Sequence, residues 1–266
     1  MCTVLLRFAP GTRWPVLVGA VRDEFMARPW DPPAEHWPHL TGAAPDAASS
    51  AGLVGGRDRV AGGTWLAVDP AQRTLSALLN GPVRLPLPAD GRRPSRGDLP
   101  LHVLTHPETP ALGLPAVERY DSFHLVRAAV SRVAASRVEV WSWNGTAVEH
   151  GSLAPGDHVI VNDGVDAVAD PLVPFVRPVL NRARTPDPRP GLSTAAAWGD
   201  WVDLMAGGDL EPTDPRALIV RHQVGDRVYG STSVTLVALD EDGVRYDFTA
   251  NPGPHATWST IVDGAR

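Results

Sequence analysis

Thr3-Val4-Leu5-Leu6-Arg7-Phe8, then Pro10-Gly11-Thr12, then Trp14-Pro15-Val16-Leu17-Val18-Gly19-Ala20 open the chain as apolar run, breaker and apolar run. Branched and aromatic residues on either side of a Pro-Gly step read as two strands joined by a turn, so the chain begins as a β-hairpin. Centring the pair on the turn makes opposing residue numbers sum to about 23, which lays Val21 and Arg22 across from Cys2.

Outward from the hairpin, residues 28–59 change to Pro, Ala, Asp and Gly with aromatic interruptions at Trp30 and Trp37. This reads as a long surface loop, the kind that often carries function. Residues 64–68 and 74–79 read as strands about Asp69-Pro70-Ala71, and 81–100 is again rich in breakers. Residues 123–133 fit either a helical or a strand period. Residues 137–143, Asn144-Gly145 and 146–149 form a hairpin signal, and 158–161 is a strand that ends at Asn162, its partner unassigned. Ser193 or Thr194 caps the clearest helix, with Trp198, Trp201, Leu204 and Met205 at helical spacing and Gly207-Gly208 as its stop. Residues 217–221, 228–239 and 244–248 close the chain as strands.

With 25 Gly and 27 Pro in 266 residues, about one residue in five is a breaker, while 43% are apolar. That composition describes a loop-rich globular protein, long enough for one large or two small cores. All 24 cations are arginines, set against 30 acids for a net charge of −6, and no basic block stands out. A broad nucleic-acid or anionic-membrane surface is therefore not expected. The absence of lysine excludes Schiff-base chemistry, a Walker A loop and a lysine base. Cys2 is the one cysteine, so the chain alone builds neither an intramolecular disulfide nor a thiolate metal site. No apolar run approaches the ~18 residues of a membrane span, and the start lacks a signal-peptide pattern. The expected location is cytoplasmic. Dinucleotide, nucleophile-elbow and zincin motifs are missing.

Cys2 directly follows the initiator Met1. Removal of Met1 would leave one residue bearing both a thiol, with a reference pKa of ~8.5, and an α-amine at ~7.7–8.0, so nucleophile and base lie together. A guanidinium at Arg22 would favour the thiolate, and Asp23 would orient the α-ammonium. The alternative is that Cys2 is a small apolar residue starting a buried strand and that Arg22-Asp23-Glu24 is a solvated turn. Chemistry alone leaves both open.

Cys2, Val21-Arg22-Asp23-Glu24-Phe25, Arg28-Pro29, Gly62-Gly63-Thr64-Trp65-Leu66-Ala67-Val68 and residues 75–80 together resemble the NRDE family, also called the transport and Golgi organisation family. Later echoes are Phe123 and Leu125, Pro155-Gly156 with Asn162, and Tyr229-Gly230-Ser231 leading to Thr235. The resemblance implies a single domain over 1–266 with the N-terminal-nucleophile hydrolase fold: α+β, a four-layer αββα sandwich of two antiparallel sheets. By the same resemblance Cys2 attacks an amide or acyl carbonyl, Arg22 supports the thiolate and Asp23 holds the α-amine. Asn80 donates to the oxyanion, and Asn162 helps hold the Cys2 amine or the substrate. No cofactor is required. Family members are also associated with haem handling and acyl-CoA metabolism, so the alternative is a non-catalytic haem or acyl-CoA carrier. Three positions depart from the pattern: Val21 replaces the first Asn of the naming motif, His124 replaces an Asn, and an Arg expected near Thr232 is missing.

Other candidates carry less. His36 and His39 flank Trp37-Pro38, where a metal or haem ligand competes with a plain loop over a buried Trp. His102 and His106 would share a strand face, and His124 reads as a core histidine. Trp14, Trp30, Trp37 and Trp65 would line a pocket or pack a core, and Trp198 and Trp201 join helix to sheet.

Overall fold

The computed structural model describes residues 2–40, 52–87, 91–109, 113–114 and 116–264. Its strands are β1 Thr3–Phe8, β2 Val16–Phe25, β3 Trp30–Glu35, β4 Val54–Asp58, β5 Leu66–Asp69, β6 Thr74–Asn80, β7 Phe123–Ala129, β8 Arg137–Trp143, β9 Val148–Ser152, β10 Gly156–Val161, β11 Gly164–Val165, β12 Arg221–Val224, β13 Arg227–Leu239, β14 Val244–Thr249 and β15 Ser259–Asp263. Its helices are α1 Asp98–Thr105, α2 Leu172–Arg182, α3 Thr194–Trp198 and α4 Asp200–Met205. The chain divides into two compact units, Met1–Arg28 with Pro155–Arg266, and Pro29–Ala154. Each contains one antiparallel sheet, so the expected α+β class with two antiparallel sheets is what forms.

In the first unit the strands run β11-β10-β1-β2-β13-β14-β15, with β12 paired to β13. Strand alternation sorts the faces. Leu5, Leu17, Val21, Val159, Val161, Val234 and Leu236 gather on one side with Val173, Leu180, Trp198, Trp201 and Met205 of the helices. Gly19 lies in the same row, where a Cβ would come within 2.6 Å of the Met205 sulfur, so this position brings β2 and α4 close together. Arg7 also points to this side. Its guanidinium forks onto Asp157 at 2.7 and 2.9 Å and donates to the Leu180 and Ala183 carbonyls, satisfying acceptors that the end of α2 leaves open.

The second unit is a meander, β3-β4-β5-β6-β7-β8-β9, each strand paired to the next in sequence. Helix α1 covers one face, Leu99 and Val103 packing on Leu78, Phe123, Leu125, Trp141 and Trp143.

Several expectations are corrected. Residues 28–59 are not one loop: β3 and β4 occupy its ends, and Pro32-Pro33 is tolerated because β3 is at the edge of the sheet among the described residues and its ladder with β4 shifts register between Asp31 and Ala34. Residues 41–51 of that segment lie outside the described residues. Of residues 123–133, Phe123–Ala129 form a strand, β7, hydrogen-bonded to β6 and β8, and the last four lie beyond it. The clearest helix is two short ones, split at Gly199, whose φ of +50° cannot continue a helix, and Ser193 caps the first by accepting from the Ala196 N–H. Helices α1 and α2 were hidden by prolines. Pro100 and Pro174 sit in first turns, where no N–H bond is lost, and Pro178 is accommodated inside α2. His102 therefore lies on α1, with His106 just past its end and the two rings stacked at 4.2 Å, not on a strand face. Residues 217–221 reach strand conformation only at Arg221, and β15, short and half exposed, carried no apolar signal.

Candidate active site

Cys2 stands immediately before β1, between two neighbours set by register. Thr3 pairs with Val21 of β2 and Val4 with Ile160 of β10, so continuing both ladders brings Arg22 to one flank of Cys2 and Asn162 to the other. The hairpin register is one residue from the expected centring. Asn162 is the first residue of the two-residue turn that joins β10 to β11, Val161 pairing with Gly164. Its Oδ1 accepts the Cys2 backbone N–H at 3.1 Å. The Cys2 thiol points toward the Asp23 carbonyl oxygen, 3.9 Å away.

Arg22 and Asp23 are both buried, 4% and 6% exposed, so neither belongs to a solvated turn. Alternation along β2 sends Arg22 to the Cys2 side and keeps Val21 in the helix-facing core. The departure at Val21 thus falls on the opposite face from the thiol. Both charged residues are held by β13. The β2–β13 ladder slips between Ser231 and Ser233, leaving Thr232 as the extra residue of a β-bulge. Thr232 Oγ1 accepts from the Arg22 guanidinium at 2.9 Å and lies 3.1 Å from the Arg22 carbonyl, to which it donates. Ser231 Oγ donates to Asp23 Oδ1 at 2.6 Å, and the Tyr229 hydroxyl donates to the Asp23 carbonyl at 3.1 Å. Where the family pattern has an arginine near Thr232, this chain has a hydroxyl that grips Arg22.

The electrostatics follow from burial. Burial pushes the Asp23 carboxyl up to about 6, against the pull of the chain's amino terminus, the Ser231 hydroxyl and Arg22. Burial also raises the Cys2 thiol, the Asp23 carboxylate raises it further, and the Arg22 guanidinium opposes both with a smaller effect. In the intact chain the thiol is thus held protonated, and Arg22 alone does not make it a thiolate. Burial raises the Tyr229 hydroxyl in the same way, keeping it a donor.

Asn80 ends β6 opposite Phe123 and is exposed. By alternation it shares the face of Leu78, which α1 covers. His124 bonds Ser142 Oγ at 2.8 Å across the β7–β8 pair. His36 bonds the Pro32 carbonyl. The four N-terminal tryptophans are dispersed: Trp14 joins the helix-facing core of the first unit, Trp30 packs edge-on against Trp65, and Trp37 is buried with Leu53 and Leu101. Among the described residues, no three His, Cys, Asp or Glu side chains gather as a metal site, and no helix is long and apolar enough to cross a membrane.

Ser231, Thr232 and Tyr229 were not singled out by role from sequence. Only their place in an echoed motif marked them, because the pairing of β13 with β2 spans some two hundred residues and its bulge has no glycine or proline to announce it.

Comparison with curated proteins gives no significant match. A family model described as Transport and Golgi organisation 2 matches residues 1–175, which include Cys2, Arg22, Asp23, Asn80 and Asn162 but not β13. With well over half of its length matched, the chain belongs to the Transport and Golgi organisation 2 family.

Proposed function

We propose that this protein is an N-terminal-cysteine amidohydrolase-like enzyme that cleaves a small amide or acyl substrate once Met1 is removed. The observation that carries the reading is the 3.1 Å bond from the Cys2 backbone nitrogen to Asn162 Oδ1. On loss of Met1 that nitrogen becomes the α-amine, already supplied with an acceptor and with the buried Asp23 carboxylate nearby. The amine takes the thiol proton, which removes the need for a thiol of low pKa. Sulfur then bonds the carbonyl carbon, the C–N bond breaks, and the leaving amine takes its proton from the α-ammonium. Water next cleaves the thioester, releasing the acid and restoring the thiol. Asn80 enters this reading as oxyanion donor through the family pattern alone.

The test is intact-mass detection of Met1 removal, followed by a panel of amides turned over by the parent and offered to Cys2→Ala. Loss of turnover in Cys2→Ala supports the reading, and unchanged turnover refutes it. A second reading is a non-catalytic haem or acyl-CoA carrier, in which the Cys2 thiol does not react. It predicts saturable binding of either ligand at micromolar concentration by a chain that retains Met1.

A further inference from the structure

We propose that Ser231 is a positioning residue which commits its single hydroxyl proton to Asp23 and so sets the charge that Asp23 presents to Cys2. A serine hydroxyl has one proton to give and lone pairs to receive. Ser231 Oγ accepts the Val220 N–H at 2.9 Å, and its other close partner is Asp23 Oδ1 at 2.6 Å. An N–H can only donate, so at the Val220 contact the oxygen is the acceptor. The proton is left for the carboxylate.

The donor that fixes this direction is itself fixed. The Ser231 N–H donates back to the Val220 carbonyl at 2.9 Å, closing a two-way link between residues 220 and 231. A Cβ at Gly230 would stand 2.7 Å from that same carbonyl oxygen, so only glycine at 230 lets the segment come this close. Val220, Gly230 and Ser231 form a relay that ends on Asp23.

A hydrogen bond to a carboxylate favours its charged form. Burial works the other way at Asp23, and the remaining groups that act on it are Arg22 beside it on β2 and the amino terminus of the chain, both of which favour its charge. Tyr229 on β13, whose hydroxyl donates to the Asp23 carbonyl, Glu24 next to Asp23 on β2 and the Cys2 thiol lie in the same neighbourhood. Asp23 in its charged form disfavours the Cys2 thiolate. Ser231 therefore acts on the sulfur through Asp23, without touching it.

The inference rests on the amidohydrolase reading only in taking Cys2 as the reactive group. Its test needs no turnover: the rate of Cys2 alkylation by iodoacetamide from pH 4.5 to 9, in a chain with no other thiol. In the parent, the rise of rate with pH should show a break near pH 6, where Asp23 ionises, and Asp23→Asn should remove it. Ser231→Ala should move the break upward by about one pH unit, making alkylation faster than in the parent between pH 6 and 7, and Ser231→Thr should restore it. In the Asp23→Asn background Ser231→Ala should change nothing.

A Ser231→Ala profile that overlays the parent overturns the proposal, as does a shift that persists without Asp23 or a Thr variant that behaves like Ala. If Ser231→Ala does not fold, a parent profile without the break at Asp23 overturns it equally. Absence of amide turnover with the Ser231 shift intact would remove the enzyme reading and leave this one standing.

Discussion

Two buried aspartates lie on strands either side of β13, Asp247 on β14 and Asp23 on β2, and their partners differ in kind. Asp247 takes a forked guanidinium from Arg245 at 2.6 and 2.8 Å, both residues being fully buried. Its oxygens also accept from Thr194 at 2.8 Å, Trp198 at 2.8 Å and Thr260 at 2.9 Å. Arg245 in turn bonds Asp263, Thr260 and the Leu192 carbonyl. This cluster ties α3 to β14 and β15. Asp23 instead accepts a neutral hydroxyl from Ser231 and, although the amino terminus of the chain and Arg22 favour its charge, is raised by burial to about 6. A guanidinium fork on a buried carboxylate serves as structure, whereas a carboxyl that burial raises to about 6 changes charge near neutrality, which is what proton chemistry requires.

The largest expected effect tests the first half of that contrast. Arg245→Met keeps the aliphatic stem but leaves Asp247 buried without its cation, and should cost about 3–5 kcal/mol of stability in urea denaturation. Asp247→Asn placed on top of it should recover much of the loss, because the uncompensated charge is gone. A cost below about 1 kcal/mol for the single variant would mean that the fork contributes little to the cluster in which Asp247 receives Thr194 and Trp198 of α3.

The second half is tested by pH. Asp23 has a folded pKa of about 6 against 3.8 for the unconstrained group, so between those values the folded chain binds the extra proton. Its contribution is present below the unfolded pKa and is lost as pH rises through the folded one. Asp23→Asn removes that dependence. Relative to the parent, the variant should gain stability from pH 4 to 7, mostly below pH 6, by about 2.5 kcal/mol. Since Asp23 is only 6% exposed, solvent screening takes little from that figure. Parallel stability curves for parent and variant across this range would erase the difference between the two aspartates.

How much of this was legible depends on distance along the chain. The β1–β2 hairpin could be read because its apolar runs and its turn are local, and the register was missed by one residue, which a turn alone does not fix. Cys2, Arg22 and Asp23 were nominated by that hairpin and the family pattern together. The neighbour of β10 lies about 150 positions away, and the grip of β13 on Arg22 and Asp23 and the bulge at Thr232 join residues some two hundred apart. Nothing local encodes them. Helices α1 and α2 were masked because Pro100 and Pro174 read as breakers, while in a first turn their missing N–H costs no bond. The burial that moves Asp23 toward neutrality was invisible for the same reason as β13: it is made by packing, and the Arg-Asp-Glu run read alone looks solvated.

The smallest effect separates the donors within the Asp247 cluster. Trp198→Phe keeps an aromatic ring in a fully buried site and removes the Nε1–H that reaches Asp247 Oδ2 at 2.8 Å. A lost hydrogen bond to a charged group in the interior should cost about 2 kcal/mol, read by the same urea denaturation as Arg245→Met. The order of the two costs carries the information. Arg245 brings both the charge and two of the bonds, so it should cost clearly more. Equal costs would show that the neutral donors hold Asp247 as firmly as the guanidinium does, and that the cation is not what sets this site apart.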